Sequence, residues 1–123
     1  MAKRILVVDD DDGVREIGHL SLEVAAGWDV VTADSGRAGV TIAQKQSLDL
    51  ILLDVMMPDE DGITIFRQLQ SDPLTQSIPV ILLTAKARMS EREELMKIGV
   101  MGIITKPFQA VQLVAQIKQM VKW

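Results

Sequence analysis

The sequence of 123 residues contains no cysteine, and this absence removes several classes of chemistry at once. Without thiols the chain has no disulfide framework, no thiolate zinc site and no cysteine nucleophile. Aromatic residues are also scarce, at two tryptophans, two phenylalanines and no tyrosine. Such a composition argues against a surface that binds nucleic acid or sugar by stacking.

Positive charge is in the minority, with thirteen Lys and Arg against seventeen Asp and Glu and a net charge of −4. We therefore expect neither nucleic acid nor a membrane surface as a direct partner. The N-terminus passes from Met1-Ala2-Lys3-Arg4 to four apolar residues and then to acids, which fits neither a signal peptide nor a membrane span. The sequence predicts one cytoplasmic domain with enough apolar residues for a core.

Short runs rich in Val, Ile and Leu recur along the chain and are separated by segments with helical spacing. The runs do not alternate with polar residues, which is typical of parallel strands covered on both faces. Strands are predicted near residues 4–8, 29–33, 49–53, 79–83 and 101–104, and helices near 12–26, 36–45, 62–71, 89–98 and 108–121. This alternation predicts a single α/β domain over residues 1–123, with a doubly wound, flavodoxin-like parallel sheet of order 2-1-3-4-5 and helices on both faces.

Acidic residues follow two of the predicted strands directly. Asp9 and Asp10 come after the first strand, and Asp54 comes after the third. In the order 2-1-3-4-5 these strands are neighbours, so their carboxyl ends bring the three aspartates to the edge where open α/β sheets bind ligands. Thr84, after the fourth strand, and Lys106, after the fifth, extend the same edge.

The residue types at this edge indicate a particular chemistry. Carboxylates that lie close together repel one another unless a cation neutralises them or one stays protonated. Oxygen ligands without histidine or cysteine favour Mg²⁺ or Mn²⁺ over zinc, and a lysine is a point-charge binder of phosphate. Metal, carboxylate, hydroxyl and ammonium together favour phosphoryl transfer, in which an aspartate can become an aspartyl phosphate.

Four segments of the sequence resemble the receiver domains of two-component response regulators, and the resemblance covers essentially the whole chain. The segments are Ile5-Leu6-Val7-Val8-Asp9-Asp10, Leu53-Asp54-Val55-Met56-Met57-Pro58 with Asp61-Gly62, Ile78-Pro79-Val80-Ile81-Leu82-Leu83-Thr84-Ala85, and Lys106-Pro107-Phe108. Any one of them is weak evidence, whereas four in order at predicted strand ends are specific. The chain is most similar in architecture to the single-domain, chemotaxis-regulator type.

The resemblance implies a phosphorelay signalling domain that takes a phosphoryl group onto Asp54. The donor would be a sensor histidine kinase or a histidine phosphotransfer protein. Asp9, Asp10 and Asp54 would hold Mg²⁺ together with the backbone carbonyl of Met56. Such a domain catalyses only its own phosphorylation and hydrolysis, so we do not expect an enzyme that acts on an external substrate.

The resemblance also implies roles for residues near the ends of the last two strands. Thr84 would hydrogen-bond the phosphoryl group, and Lys106 would pair with it. The family usually has a cis peptide bond before the proline that is Pro107 here. The switch position three residues before Lys106 is often aromatic in the family and is Ile103 in this sequence, so coupling to Thr84 would work through an aliphatic side chain.

On the output side, the resemblance implies a protein target or a tethered output domain, and it leaves a homodimer open. The chain ends after the fifth predicted helix, so we expect no output domain in it. Gly102 stands where winged-helix transcriptional regulators carry an acid used in dimer salt bridges, which disfavours that class. In the family the first helix often meets the phosphodonor, and here Val14, Ile17 and the neighbourhood of Leu20 are the candidates.

Three other functions fit the sequence less well. A Mg²⁺-dependent phosphatase of the haloacid-dehalogenase type needs a second Asp two residues after the nucleophile, where Met56 stands. A flavin-binding electron-transfer protein needs hydroxyls and amides in its first loop, where four aspartates would repel the flavin phosphate. A receiver that works without phosphorylation is disfavoured by the complete set of site residues.

The remaining acids near the predicted site have simpler interpretations. Asp11 and Asp12 are predicted to complement the dipole of the first helix. Asp59, Glu60 and Asp61 are predicted to form a solvated acidic loop that ends where the third helix starts.

Overall fold

A five-stranded parallel sheet forms the centre of the structure, a computed structural model that describes residues 2–57, 60–85 and 89–123, without the side chains of residues 89 and 90. The strands of the chain are β1 (Arg4–Val8), β2 (Asp29–Ala33), β3 (Leu50–Asp54), β4 (Met56–Met57), β5 (Glu60–Asp61), β6 (Val80–Thr84) and β7 (Gly102–Thr105). The main sheet has the order β2-β1-β3-β6-β7, while β4 and β5 pair as a separate antiparallel hairpin. The predicted order 2-1-3-4-5 is therefore confirmed.

Helices cover both faces of this sheet. They are α1 (Asp12–Ala26), α2 (Gly36–Lys45), α3 (Gly62–Ser71), α4 (Met89–Met96) and α5 (Ala110–Val121). One apolar cluster joins the sheet to α1 and α5, and the other joins it to α2, α3 and α4. Within the described ranges, none of the helices is long and apolar enough to cross a membrane.

Alternate residues along a strand pack into the two apolar clusters on opposite faces of the sheet, which explains the continuous apolar runs in the sequence. In β1, Leu6 and Val8 face the cluster with α2, α3 and α4, while Ile5 and Val7 face the cluster with α1 and α5. All four side chains are at most 1% exposed. Because both faces of the central strands are covered, β1, β3 and β6 have apolar residues throughout except at an end, where their polar residues lie.

Three strands extend one residue further toward their carboxyl ends than the sequence predicted. The sequence places the strand end at the last apolar residue, whereas the ladder continues through Asp54, which pairs in register with Leu83. Asp54 and Thr84 are thus the last residues of β3 and β6 and do not follow them. The β4–β5 hairpin was not predicted, because strands of two residues carry no periodic pattern.

The helix ends follow local capping chemistry. The first three helices have the predicted bounds, whereas α4 ends two residues earlier and α5 begins two residues later than predicted. Asp11 caps α1 by accepting a hydrogen bond from the Val14 amide at 3.1 Å, and Gly27 ends the helix with φ of 69°. The predicted helix-start role of Asp11 and Asp12 is confirmed.

The two tryptophans pack together at the amino ends of the strands, opposite the acidic cluster. Trp28 lies just before β2, and Trp123 packs edge-on against it with the ring centroids 5.1 Å apart. Lys3 Nζ lies 5.0 Å from the centroid of the Trp123 ring. This cluster ties the end of α5 to the starts of the first two strands.

Gly62, the first residue of α3, lies against the carboxyl end of β3. Its amide donates to the Val55 carbonyl at 2.9 Å. A Cβ at this position would lie 2.7 Å from Val55 Cα and would overlap the carbonyl oxygen of Asp54. The backbone of residue 62 approaches the backbone of Asp54 and Val55 so closely that only glycine fits. This close approach places the start of α3 beside Asp54.

We predict that Gly62→Ala lowers the free energy of unfolding by roughly 3 kcal/mol, because neither backbone group can move away without disturbing the sheet. Gly18→Ala is the matched control, since its Cβ would lie 3.7 Å from a Val7 methyl in ordinary contact. That control should raise stability by about 0.5–1 kcal/mol through helix propensity. Urea unfolding measures both, and equal stability of Gly62→Ala and the unsubstituted protein would contradict the prediction.

Candidate functional site

Three aspartates lie together at the carboxyl ends of neighbouring strands. Asp9 and Asp10 come directly after β1, and Asp54 is the last residue of β3, its partner in the sheet. One carboxylate oxygen of each lies within 4.8 Å of the others. Asp9 and Asp54 are 0% and 2% exposed, whereas Asp10 is exposed. The predicted acidic cluster is therefore present, with two carboxylates buried and one open to solvent.

Lys106 reaches into this cluster from the end of β7. Its Nζ lies 3.0 Å from Asp9 Oδ2 and 3.2 Å from Asp54 Oδ1. The Lys106–Pro107 peptide bond is cis, as the resemblance implied. A single ammonium does not neutralise three carboxylates, so the cluster keeps an excess of negative charge.

Burial and the neighbouring charges perturb the titration of Asp54. Burial, and next the charge of Asp9, raise the pKa of Asp54 from 3.8 to about 6. Lys106 and the Met56 amide act in the opposite direction, because they stabilise the ionised carboxylate. Burial by itself lowers the pKa of Lys106, but the hydrogen bond to Asp9 and the charge of Asp54 outweigh it, so this pKa is raised.

The other residues predicted for the site lie around these charges. Thr84 is buried at the end of β6, and its carbonyl accepts the Lys106 amide at 2.7 Å. The Met56 amide donates to Asp54 Oδ1 at 3.2 Å, while the Met56 side chain is 64% exposed. Ile103 is only 3% exposed and packs in the cluster with α2, α3 and α4. The roles of these residues stay predictions.

Two contacts that hold Asp9 were not predicted from the sequence. The Asp9 amide donates to the carbonyl of Ala33 at the end of β2, at 3.1 Å. The Asp9 carbonyl accepts from the guanidinium of Arg15 at 2.6 Å, and Arg15 also pairs with Asp12. The spacing of Asp12 and Arg15 in the first helix could have indicated their ion pair, but no sequence signal indicates the contact with Asp9.

The predicted solvated acidic loop before α3 is wrong for Glu60. The Glu60 carboxylate is half-buried and accepts the Gly36 amide at 2.8 Å and the Arg37 amide at 2.9 Å. The free amides of the α2 N-terminus face this loop, and they attract a carboxylate out of the solvent. Asp61 caps α3 through the Ile63 amide at 3.0 Å, and Asp59 lies outside the described residues.

Comparison with known proteins matches the sequence to the response regulator receiver domain over residues 5–118. The chain belongs to this family. A receiver is a signalling domain and not a conventional enzyme, and it implies a histidine kinase as donor. The acidic cluster and Lys106 are consistent with the phosphoacceptor site of such a domain.

Curated relatives of the receiver are longer than this chain. The phosphate regulon transcriptional regulatory protein PhoB of Pseudomonas aeruginosa is 37% identical over 99% of this chain and 53% of its own length. The response regulator PleD of Caulobacter vibrioides is 37% identical over 100% of this chain and 27% of its own length. The receiver therefore spans about half or less of these relatives.

Solved structures match the fold over almost their full length. The chemotaxis response regulator CheY4 of Vibrio cholerae superposes with a TM-score of 0.90 at 28% identity, covering 98% of this chain and 99% of that one. A putative response regulator from Chloroflexus aurantiacus gives a TM-score of 0.89 at 32% identity, with 100% coverage of both chains. Both comparisons agree with the predicted receiver architecture.

The carboxylates of the receiver fit a hard divalent cation. Asp9, Asp10 and Asp54 each offer an oxygen at a mutual spacing that one ion can span. After burial, the charge of Asp9 is the second cause of the raised pKa of Asp54, and a bound cation would relieve this repulsion. Oxygen-only ligands suit the magnesium and manganese class of metals.

We predict that Asp54→Asn stabilises the metal-free receiver at pH 7.5. The pKa of Asp54 is about 6 in the folded chain and 3.8 as its ordinary value. The folded state thus binds the proton more tightly, and stability falls as the pH rises from about 4 to about 6. The neutral amide avoids this loss, so the variant should gain roughly 1–3 kcal/mol at pH 7.5 and little near pH 4.

Urea unfolding in EDTA at several pH values measures this difference. Asp72→Asn is the control with the opposite sign, because hydrogen bonds from Gln44 and the Leu74 amide lower the pKa of Asp72. An Asp54→Asn variant that is less stable than the unsubstituted receiver at pH 7.5 would show that the charge of Asp54 is not a source of instability.

Proposed function

We propose that the receiver accepts a phosphoryl group on Asp54 in a Mg²⁺-dependent reaction and that this modification switches its binding to a protein target. The donor is a phosphohistidine on a histidine kinase or a histidine phosphotransfer protein. The observation that carries the proposal is the buried Asp54 carboxylate, which lies 3.2 Å from Lys106 Nζ and beside two further carboxylates. The proposal treats residues 1–123 as one receiver domain in the cytoplasm.

The reacting group is an oxygen of the ionised Asp54 carboxylate. It attacks the phosphorus atom, a P–O bond forms, and the P–N bond to the donor histidine breaks with its electron pair left on the imidazole. A pKa of about 6 leaves most of Asp54 ionised above neutral pH. Mg²⁺, held by Asp9, Asp10, Asp54 and the Met56 carbonyl, would neutralise charge on the transferring oxygens.

Lys106 and Thr84 act on the phosphoryl group from the other side of the site. Lys106 Nζ, which pairs with Asp9 and Asp54 before the reaction, then donates to a phosphoryl oxygen. The Thr84 hydroxyl supplies a second donor from the end of β6. Hydrolysis of the aspartyl phosphate by water restores the carboxylate and ends the signal.

Movement of Thr84 toward the phosphoryl group is proposed as the switch. Ile103 packs in register with Leu82, two residues before Thr84, and is buried between the sheet and α4. A shift of Thr84 would change the packing that Ile103 senses, without an aromatic side chain that turns outward. The target, or a tethered output domain, would read this change.

An exposed apolar stripe on α1 suits the docking of the donor. Ile17, Leu20 and Val24 are 50%, 56% and 80% exposed, and their spacing places them on one face of the helix. The stripe begins one turn after Asp12, so a protein bound on α1 would reach the carboxyl edge of the sheet. We therefore propose α1 as the docking surface for the phosphodonor.

The phosphorylation itself is tested by incubating the receiver with Mg²⁺ and acetyl phosphate and measuring the intact mass. We expect one added phosphoryl group, which disappears with EDTA and with Asp54→Asn because acceptor and metal are then missing. Absence of an adduct, together with failure to bind beryllofluoride, would exclude the phosphoacceptor function and favour a receiver that works without phosphorylation.

The docking of the donor on α1 is tested by placing a charged residue in the exposed apolar stripe of that helix. Leu20→Glu should slow transfer from a phosphorylated phosphotransfer protein by about tenfold, as expected for the loss of a central interface contact. Transfer from acetyl phosphate should be unchanged. Val111→Glu, at a position on α5 that is 79% exposed, is the matched control and should leave both rates unchanged. Equal slowing of Leu20→Glu with both donors would refute docking on α1.

A further inference from the structure

One short segment of the chain contacts both Asp9 and the hairpin that follows Asp54. Residues 34 and 35 join β2 to α2. We call residues 33–37, which add the last residue of β2 and the first two of α2, the β2–α2 connection. At its start the Ala33 carbonyl accepts the amide of Asp9 at 3.1 Å. At its end the Gly36 and Arg37 amides donate to the carboxylate of Glu60. The same connection therefore holds the loop of Asp9 and the loop that follows Asp54.

Glu60 completes the cap of α2 from a distant part of the chain. Ser35 accepts the amide of Ala38 at 3.1 Å, as an ordinary N-cap does. The two amides before Ala38 are taken by Glu60, one at each carboxylate oxygen, at 2.8 Å and 2.9 Å. A carboxylate at this helix end is also favoured by the helix dipole.

The fit between Glu60 and α2 leaves no space for a side chain at Gly36. A Cβ on Gly36 would lie 2.8 Å from Glu60 Oε2 and 2.6 Å from Ile65 Cδ1. Gly36 is buried, whereas the Glu60 carboxylate is half-buried and its hydrogen bond with the Arg37 amide is exposed. The close approach means that the position of the Glu60 carboxylate is set by α2.

Glu60 is in turn tied to the backbone next to Asp54. It pairs with Met57 in the β4–β5 hairpin, and its neighbour Asp61 pairs with Met56. The Met56 amide donates to Asp54 Oδ1 at 3.2 Å. Of the two paired strands, β5 is thus held by the amides of α2, and β4 is held by the Asp54 carboxylate.

We propose that Glu60 is a positioning residue for the metal site. By capping α2 it holds the β4–β5 hairpin, and with it the backbone of Met56, in the place from which the metal is bound. The inference rests on the proposed function, because it concerns the Mg²⁺ site of the phosphoacceptor. Since the coupling is reciprocal, metal binding also tightens the Glu60 cap.

The test compares two variants that remove caps from the same end of α2. Glu60→Ala removes the two hydrogen bonds that reach the hairpin, and Ser35→Ala removes one that does not. Both should lower the denaturant midpoint. Calorimetric titration with Mn²⁺ should show roughly tenfold weaker binding for Glu60→Ala, the low end of the range for groups that hold metal ligands in place. Ser35→Ala should bind Mn²⁺ like the unsubstituted receiver.

A third variant, Glu60→Gln, tests the same effect on Mn²⁺ affinity with a smaller change to the α2 cap, so the test does not depend on the folding of Glu60→Ala. Glu60→Gln keeps one acceptor oxygen, so its affinity for Mn²⁺ should lie between those of Glu60→Ala and the unsubstituted receiver. In the unsubstituted receiver, Mg²⁺ should slow hydrogen exchange at the Gly36 and Arg37 amides more than at the Ala38 amide, which Ser35 binds. These readouts require no phosphorylation.

The outcomes separate this inference from the proposed function. If the unsubstituted receiver binds no Mn²⁺, both are overturned. If it binds Mn²⁺ and both Glu60 variants bind equally well, only the role of Glu60 is overturned. Equal weakening by Glu60→Ala and Ser35→Ala would also overturn it, because loss of α2 stability would then explain the effect.

Discussion

Two buried carboxylates, Asp9 and Asp54, share the ammonium group of Lys106, and much of the local structure serves this arrangement. The sheet order places β1 beside β3, the dry strand faces prevent the carboxylates from turning into the core, and Gly62 lets α3 begin beside Asp54. One ammonium faces three carboxylates, and the pKa of Asp54 is raised first by burial and then by the charge of Asp9. A fold that accepts this unfavourable charge without a cation is prepared to bind one, and the gain on binding is correspondingly larger.

The three aspartates of the cluster differ in exposure, since Asp9 and Asp54 are buried and Asp10 is open to solvent. Asp54 and Thr84 are the buried last residues of β3 and β6. Asp10 and the side chain of Met56 are exposed, whereas Met57 of the β4–β5 hairpin is buried in the core. The Asp54 carboxylate is thus enclosed, while the cluster is open to solvent at Asp10. Under the proposed function, metal and phosphoryl group would enter from this open side without disturbing the core beneath it.

Most of the fold could be predicted because its determinants are local. Val, Ile and Leu runs mark the strands, and capping residues such as Asp11 and Gly27 mark the helix ends. The aspartate cluster followed from the strand order. Glu60 was assigned wrongly because its partner amides, on Gly36 and Arg37, are more than twenty residues away, and only the tertiary approach of α2 brings them together. The inclusion of Asp54 in β3 likewise depends on pairing with β6 and not on the apolar run.

Both tryptophans lie at the edge of the sheet that is farthest from the carboxylates, where Trp123 packs on Trp28. A strand of five residues separates the two edges, a distance of roughly 15 Å. The indole emission of this protein therefore reports the attachment of α5 to the sheet and is insulated from events at the acidic edge. Fluorescence can follow unfolding while metal or phosphoryl analogues are added, so occupancy and stability become separately observable quantities in one sample.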